Sequence, residues 1–404
     1  MPINKQREKK VLIAASSFLF QNPQSSLSEE LLADLLDWNY LLVTSHQHGI
    51  SPLLFKSLAD SGLAHYVPPE TYQHLKRNYL SSLMNNNRLL RELASMLDLF
   101  SEFEVPVLVL KGAALCQTVY PDISLRPFGD LDILISKEHV PRCQQELQDI
   151  DFHLVKGIYF PLSDDQNDRL GCEWAYHRNN TVVELHWNLI NSLAPFRINI
   201  GLFWQDAVEL KFEGRPAFSM SPENQLLHLC LHQYKHHWER MRDLIDVALV
   251  IQRFQNELDW EMIYWRSDIQ GLNHCVYYNL TLAQEVLGLP IPHLETKRLI
   301  NRAKPSAFST ALVSLISDNI YATHMPRRFW ELLSVDAFGD KLTVVKNILS
   351  HPFPREDDNG LPQSESVTTI RGKVQKALGS FFFYRRLLLT FTRKLFYSWW
   401  RTEG

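Results

Sequence analysis

The feature that most constrains this 404-residue chain is the stretch VLVLKGAALCQTVYPDISLRPFGDLDILI, residues 107 to 135. Two short apolar runs flank a turn of small residues, and Asp130 and Asp132 interrupt the second run. Side chains two residues apart in a strand point to the same face of a sheet. We therefore expect Asp130 and Asp132 to project together, while Leu131, Ile133 and Ile135 build a core on the opposite face.

A second acidic strand is predicted in TVVELHW, where Glu184 and His186 share one face and apolar residues share the other. Neighbouring strands would then present three carboxylates to one cleft, and their repulsion is tolerable at neutral pH chiefly when cations neutralise it. Mg²⁺ suits oxygen ligands of this kind. The pattern predicts a metal site made by Asp130, Asp132 and Glu184, with His186 either contacting substrate or holding Glu184 in place.

The turn after the first apolar run has the composition of a phosphate-binding turn. The small side chains of Gly112 and Ala113 let a triphosphate approach backbone N–H groups at the start of a helix. Lys111 can add a point charge, and Arg126 can reach phosphate oxygens in a forked geometry. Each feature alone is more often a plain turn or a solvated strand face, but their ordered combination favours a metal-nucleotide site.

These elements resemble the bacterial uncharacterised nucleotidyltransferases, a branch of the DNA polymerase beta-like nucleotidyltransferase superfamily. The branch pattern of LKG, a small-residue helix, Tyr-Pro and R-P-x-x-D-h-D-h is matched here by LKGAAL, VYPD and RPFGDLDILI. Its later elements are matched by VVELHWNL and SPENQLLHLCLHQYKHHW, and its N-terminal helical lobe by HQHGISPLLFKSL. The resemblance covers about residues 30 to 290. One departure from the wider superfamily is a Lys-Gly turn in place of the usual Gly-Ser.

The resemblance implies transfer of a nucleoside monophosphate from a nucleoside triphosphate, ATP being the expected donor, with release of pyrophosphate. It implies two ions, Mg²⁺ or Mn²⁺: Asp130 and Asp132 would hold one on the triphosphate and share a second with Glu184. A role for Glu184 as general base is an open alternative.

A hydroxyl-bearing small molecule, a protein side chain and an RNA end all fit as acceptors. A small molecule or peptide is favoured over nucleic acid, because no basic channel is evident outside the C-terminal tail. The alternative function is a catalytically silent nucleotide-binding or partner-binding module of the same fold, against which the presence of all three carboxylates argues.

A helix predicted from residue 222 to about 254 carries His228, His232 and His236 on one face, with Lys235 beside them. This row of histidines has three possible interpretations: a metal-binding histidine pair, buried structural histidines, or contacts to nucleotide or acceptor. The resemblance favours substrate contacts for His232 and His236, and Lys235 is a further candidate contact.

The periodicity predicts an α+β fold, a small mixed nucleotidyltransferase sheet flanked by helical N-terminal and C-terminal lobes. Asp243 and Asp246, later in the long C-terminal helix, are expected on its surface or as capping partners. The predicted segments are a helical lobe at 1–104, the catalytic core at 105–220, a second helical lobe at 221–350, a linker at 351–370 and a basic aromatic tail at 371–404.

Charge is unevenly distributed along the chain. The net charge of −4 argues against a dedicated nucleic-acid surface, yet residues 371–401 hold eight basic residues and no acidic one. Nine aromatic residues are interleaved with that charge. Three interpretations of this tail are open: stacking on single-stranded nucleic acid, peripheral contact with an anionic membrane, or docking on the acidic remainder of the protein.

The cysteine pattern and the hydropathy favour a cytoplasmic protein. The five cysteines are scattered without a CxxC pair, so neither a disulfide framework nor a zinc ribbon is indicated. We interpret MPINKQREKKVLIAASSFLF as a first helix rather than a signal peptide. The sequence contains no run of about 18 apolar residues free of charge, so no membrane span is predicted.

Overall fold

The structure is a computed structural model that describes residues 5–20, 27–33, 35–155, 164–236, 238–291 and five isolated positions between 295 and 303. The chain divides into two units, Met1–Lys341 and Leu342–Gly404, and every described residue belongs to the first. The predicted linker and tail, with most of 292–350, therefore lie outside the described residues. Among the described helices, none combines the length and the apolar character needed to cross a membrane.

The N-terminal part of the chain is helical, as its three- and four-residue apolar spacing predicts. Its helices are α1 (Gln6–Ser17), α2 (Glu29–Leu32), α3 (Trp38–Gln47), α4 (Ser51–Asp60) and α5 (Pro69–Ser101). The long helix α5 begins with Pro69, which suits the first helical position because its missing N–H would have no intrahelical partner there. Its buried side chains, Leu89, Leu93 and Leu97 among them, pack against the sheet.

Seven strands form one mixed sheet in the order β3-β4-β5-β2-β1-β7-β6. They are β1 (Leu108–Val109), β2 (Asp130–Leu134), β3 (His153–Leu154), β4 (Glu173–Arg178), β5 (Thr181–His186), β6 (Val208–Phe212) and β7 (Arg215–Ser219). The pairs β2/β5 and β1/β7 are parallel, and the other pairs are antiparallel. The predicted mixed sheet in an α+β fold is confirmed, although only β1, β2 and β5 were predicted individually.

The remaining described helices are α6 (Lys111–Thr118), α7 (Val140–Asp149), α8 (Asp164–Leu170), α9 (Ile200–Gln205), α10 (Pro222–Lys235), α11 (Met241–Arg253), α12 (Trp260–Gln270) and α13 (Asn273–Leu287). The single helix predicted from 222 to about 254 is wrong. The chain turns between α10 and α11, where Trp238 has a left-handed φ of 55° and Arg240 is extended. An L-residue in the left-handed region cannot continue a right-handed helix.

Alternation along β2 and β5 separates a core face from a polar face. On the core face, Leu131 and Ile133 of β2 and Ile135 directly after it are at most 1% exposed. They join Val183 and Leu185 of β5 in a cluster with α5 and α7. The predicted division of these strands is confirmed for their apolar residues. The polar residues of both strands consequently point to the opposite side of the sheet.

The loop at residues 120–129, which leads into β2, is held by side-chain amides of α5. Asn86 donates through Nδ2 to the carbonyls of Ile123 at 2.6 Å and Arg126 at 2.9 Å, and Asn85 donates to the carbonyl of Phe128 at 2.8 Å. These bonds satisfy loop carbonyls that have no strand partner. The N-terminal helices therefore fix the path by which the chain reaches the aspartates of β2.

Gly112, at the start of α6, provides the space in which this loop packs. A Cβ atom at Gly112 would lie 2.8 Å from both Cβ and Cγ of Phe128, and 3.1 Å from Nη1 of Arg126. Contacts between carbon atoms are most favourable at about 3.5–4.0 Å. The absent side chain thus accommodates Phe128 within the protein.

We expect Gly112→Ala to lower the free energy of unfolding by about 1–3 kcal/mol, because Phe128 or the backbone must move to admit the methyl group. Alanine is the better helix former, so the intrinsic propensity acts in the opposite direction. Gly129→Ala is the matched control, because its Cβ would meet nothing within 4 Å. Urea unfolding of the three proteins measures the difference, and equal midpoints for Gly112→Ala and wild type would contradict the packing role.

Candidate active site

The parallel pairing of β2 with β5 sets Asp132 directly beside Glu184, and Leu134 beside His186. Asp132 and Glu184 are each 4% exposed, and His186 is 2% exposed. Ligand atoms of Asp132, Glu184 and His186 all lie within 4.8 Å of one another. The structure therefore brings together two of the three carboxylates predicted to hold metal, and adds the histidine predicted beside them.

Asp130, the third predicted carboxylate, begins β2 and lies outside that 4.8 Å group. It is partly exposed at the margin of the cluster. Burial raises the pKa of Asp130, and the neighbouring negative charge of Asp132 raises it further. Because Asp132 and Glu184 are both buried, the partly exposed Asp130 is the most accessible of the three carboxylates.

Lys111 neutralises the paired carboxylates. Its Nζ lies 2.5 Å from Oδ1 of Asp132 and 3.8 Å from Oε2 of Glu184, and the residue is 9% exposed. Burial lowers the pKa of Lys111, but the surrounding carboxylates outweigh this effect and raise it above its ordinary value. The backbone of Lys111 has a φ of 40°, an uncommon conformation for a residue other than glycine. The predicted phosphate-binding lysine is therefore an ion-pair partner of the acidic residues.

His186 is the second cation of the cluster. Its Nε2 lies 3.0 Å from Oδ1 of Asp132 and 3.4 Å from Oε2 of Glu184. Burial lowers the pKa of His186, but the charge of Glu173 and the hydrogen bond to Asp132 outweigh it and raise the pKa well above its usual value. In the absence of a metal ion, His186 therefore acts as a cationic partner of the two carboxylates, while its Nε2 also lies among the atoms that could hold a metal.

Glu173 was not predicted, although it completes the charged cluster. It lies on β4 opposite His186, and its Oε2 is 3.0 Å from Nδ1 of that histidine. Lys235, a predicted substrate contact, is 2.9 Å from both carboxylate oxygens of Glu173. Charge therefore alternates from Lys235 through Glu173 and His186 to Asp132.

One sequence signal would have revealed Glu173. Asn179 and Asn180 separate β4 from β5, and Asn179 has a left-handed φ of 52°. Asparagine pairs of this kind favour two-residue hairpin turns. A hairpin centred on them aligns Glu173 with His186.

The predicted histidine row lies at the end of α10, with His228 and His232 in the helix and His236 directly after it. Ring centroids of His228 and His232 are 6.4 Å apart, and those of His232 and His236 are 4.4 Å apart. Burial, and then the positive charge of Lys111, lower the pKa of both His228 and His232 well below the usual value, and burial lowers that of His236 to about 4. The row therefore presents neutral imidazoles, which can accept hydrogen bonds.

The other predicted nucleotide-binding residues have partners within the protein. Ala113 is 2% exposed in the core, and Gly112 faces Phe128. Arg126 is 3% exposed and donates from Nε and Nη2 to the two oxygens of Asp246, at 2.9 and 2.7 Å. Its forked geometry thus serves a buried ion pair in place of the expected phosphate.

Asp246 and Asp243 are 1% and 3% exposed, so their expected positions on a helix surface are wrong. The hydroxyl of Tyr120 also donates to Asp246, at 2.7 Å. Arg242 donates to Oδ1 of Asp243 at 3.2 Å and to the carbonyl of Pro127 at 2.8 Å. Helix α11 therefore holds the loop 120–129 from the side opposite α5.

The donor atoms of the cluster fit a hard divalent cation. Asp132 and Glu184 offer carboxylate oxygens, and Asp130 offers another at the accessible end of the same strand face. Mg²⁺ and Mn²⁺ prefer oxygen ligands of this kind. In this structure the ammonium group of Lys111 balances the negative charge of Asp132 and Glu184, which a bound divalent cation would otherwise balance.

Comparison with known proteins assigns the chain to a family. The model of a family described as uncharacterised nucleotidyltransferase matches residues 34–288, more than half of the chain. The matched region includes α5, the whole sheet and the histidines of α10. No curated protein matches the chain with significant sequence similarity.

Three solved structures of other proteins resemble part of this chain. The solution structure of the antibiotic-resistance factor ANT(2'')-Ia is 11% identical, with a TM-score of 0.32 over 45% of this chain and 91% of that one. The lincomycin-bound lincosamide adenylyltransferase LnuA is 18% identical, with a TM-score of 0.27 over 40% and 94%. An antigenic nucleotidyltransferase-like protein from Paracoccidioides brasiliensis is 20% identical, with a TM-score of 0.28 over 43% and 78%. Similarity at this level identifies no acceptor for this chain.

Removal of one partner of the buried pair Arg126–Asp246 should destabilise the protein strongly. We expect Arg126→Met to lower the free energy of unfolding by about 3–5 kcal/mol, because the buried carboxylate of Asp246 loses its cation. Arg126→Met combined with Asp246→Leu should recover much of this loss, since neither charge is then buried.

The control is Arg178→Met, which removes a half-buried arginine paired with Glu92 at 2.7 Å. An ion pair near the surface contributes only about 0–1 kcal/mol. Arg178 also donates to the carbonyl of Ile150 at 3.0 Å, a bond that contributes about 0.5–1.5 kcal/mol. This variant should therefore lose less stability than Arg126→Met. Chemical unfolding of all four proteins measures the differences. A loss for Arg126→Met no larger than that of Arg178→Met would contradict the structural role of the buried pair.

Proposed function

The chain belongs to the family of uncharacterised nucleotidyltransferases, and we propose that it transfers a nucleoside monophosphate from ATP to a hydroxyl-bearing small molecule or peptide, releasing pyrophosphate. In this reaction the acceptor oxygen attacks the α-phosphorus, and the bond from that phosphorus to the pyrophosphate oxygen breaks. The cytoplasm is the proposed location, because its reducing conditions suit five buried cysteines that form no disulfide.

The pairing of Asp132 with Glu184 carries this proposal. Two ionised carboxylates side by side on parallel strands, each 4% exposed, are destabilising unless cations accompany them. Lys111 and His186 supply cations that stabilise the two carboxylates. Folding alone does not explain why the chain buries two carboxylates there, since apolar residues would need no such compensation. A site that handles the negative charge of a triphosphate together with cations accounts for its composition.

Asp130, Asp132 and Glu184 would hold the Mg²⁺ or Mn²⁺ ions, two in the complete complex. When bound, such ions stabilise the attacking and leaving oxygens of an in-line displacement. Burial raises the pKa of Glu184, but its hydrogen bond to His186 and the charge of Lys111 outweigh this and hold it well below the ordinary value. The position of Glu184 directly beside Asp132, with their ligand atoms within 4.8 Å of each other, favours its role as a metal ligand over that of a general base.

The surrounding residues would orient the two substrates. Lys111 stands at the start of α6, where its ammonium can turn from Asp132 to a phosphate oxygen of the donor. The neutral imidazoles of His232 and His236 can accept hydrogen bonds from hydroxyl groups of the acceptor. Lys235 is held by Glu173, so its contribution is to the cluster rather than to a substrate contact.

We expect Asp132→Asn to reduce transfer by at least about 1,000-fold, because a buried carboxylate that would hold the metal ions is lost. The assay incubates the full-length protein with each labelled nucleoside triphosphate, Mg²⁺ or Mn²⁺ and a cell extract, and measures label on acceptors. Chelation by EDTA should abolish transfer by the wild type. Asp151→Asn, an exposed aspartate in a turn, is the control that should stay active.

Equal labelling by Asp132→Asn and wild type would refute the role of the carboxylates. Nucleotide binding by the wild type without transfer to any acceptor would instead favour the catalytically silent module. Lys111 and His186 give that second function some support, because they compensate the carboxylates without a metal.

Glu173→Gln should lower the rate constant for transfer roughly tenfold while leaving KM for the nucleotide nearly unchanged. The neutral amide would hold His186 less firmly, so Asp132 and Glu184 would lose part of their fixed orientation. Steady-state kinetics with the acceptor found above separate kcat from KM. The matched control is Glu92→Gln, whose partner Arg178 ends the same strand, and equal rates in the two variants would remove Glu173 from the machinery.

A further inference from the structure

A pocket of about 500 Å³ opens beside the start of β2. Its walls come from the turn between α3 and α4, from α5, from Pro127–Gly129 and from the start of α11. Gly129 lies in the wall and immediately precedes Asp130, so the pocket opens one residue before the strand that carries the aspartates. Small-molecule sites commonly have volumes of roughly 300–1,000 Å³, so this pocket is large enough for a substrate group.

The lining of the pocket is cationic and polar. Arg240 and Arg242 contribute two guanidinium groups, Asn78 and Asn85 contribute amides, and the lining contains no carboxylate. Arg242 is engaged by the carbonyl of Pro127 and by Asp243. Arg240 is exposed, and within the described part of the chain its guanidinium makes no hydrogen bond or ion pair. Its charge is available to an anion in the pocket.

One buried hydroxyl group beside the pocket lacks a partner. Ser82 of α5 lines the same pocket and is only 6% exposed, yet its hydroxyl oxygen has no hydrogen-bond partner among the described residues. Buried hydroxyl groups are nearly always satisfied in native proteins. The oxygen itself is covered in this structure, so the hydroxyl would reach a phosphate oxygen in the pocket only after rotation about its Cα–Cβ bond.

The two sides of the pocket are fixed relative to one another. The carbonyl of His48 accepts the N–H of Arg242 at 3.2 Å, and Nδ1 of His48 accepts that of Met241 at 3.3 Å. Burial, with the charge of Arg240, lowers the pKa of His48 to about 4, which keeps Nδ1 available as an acceptor at neutral pH. The α3–α4 turn thereby anchors the first residues of α11, so the arginines are positioned before any ligand arrives.

We propose that this pocket is a phosphate-binding subsite in which Arg240, assisted by Arg242, binds a phosphate group of a substrate. This inference rests on the proposed function. Lys111 and Arg126, the cations expected to bind phosphate, have carboxylate partners inside the protein. Arg240, which lines the pocket and is exposed, is a guanidinium group whose charge is not taken up by an ion pair within the described part of the chain. Both the terminal phosphates of the donor and a phosphate carried by the acceptor have the required chemistry.

The test measures binding of inorganic pyrophosphate to the full-length protein by calorimetry. Arg240→Gln should weaken binding roughly tenfold or more, because a charge-assisted hydrogen bond is lost. Arg253→Gln is the matched control, since it removes an exposed arginine of the same helix outside the pocket. Its affinity for pyrophosphate should equal that of the wild type. Equal affinities for Arg240→Gln and wild type, or no pyrophosphate binding by the wild type, would overturn the subsite.

The source of the phosphate follows from adding ATP. If ATP displaces pyrophosphate and Arg240→Gln raises KM for ATP, the subsite holds the terminal phosphates of the donor. If ATP and pyrophosphate bind together and KM for ATP is unchanged, the subsite holds a phosphate of the acceptor. Both results support a phosphate-binding subsite and differ only in which substrate occupies it.

Failure of this inference differs from failure of the proposed function. Transfer of label by the wild type, with Arg240→Gln binding pyrophosphate as well as wild type, would remove the subsite and leave the transferase intact. A clear binding defect in Arg240→Gln, with no transfer from any nucleotide by the wild type, would remove the transferase and leave the subsite.

Discussion

Compensation of buried negative charge is the constraint around which the polar face of the sheet is arranged. Asp132 and Glu184 lie side by side on parallel strands, and a buried carboxylate without a cation would be strongly destabilising. Lys111 approaches from the start of α6, and His186 from the neighbouring position on β5. Glu173 then fixes His186, and α10 supplies Lys235 to balance Glu173. The relative positions of the sheet, α6 and α10 follow from these charges as much as from apolar packing.

Alternation within single strands made the central part of the site predictable. The pattern of β2 and β5 identified Asp132 and Glu184 because one face of each strand is apolar and the other is not. The sequence did not predict β3, β4, β6 or β7, which are short or alternate weakly between apolar and polar residues. The hairpin of β6 and β7 nevertheless turns at Glu213 and Gly214, which both have a left-handed φ.

Contacts between distant parts of the chain explain the remaining differences. Arg126 and Asp246 are 120 residues apart in sequence, so no local spacing could reveal that they form a buried pair. The same holds for Lys111, whose position after β1 suggested phosphate binding but whose ammonium lies on Asp132 of the adjacent strand. Residue type and local spacing located the site, whereas the partner of each cation depended on tertiary structure.

The attachment of the loop 120–129 on two sides determines which part of the chain can act as a unit. Asn85 and Asn86 of α5 hold one side of the loop, while Asp246 and Arg242 of α11 hold the other. A fragment limited to the sheet and its crossover helices would lack both supports, and β2 would begin from an unsupported segment. A fragment that holds β2 in place must therefore extend from α5 to α11, and it must also include the α3–α4 turn, because His48 accepts hydrogen bonds from the first residues of α11.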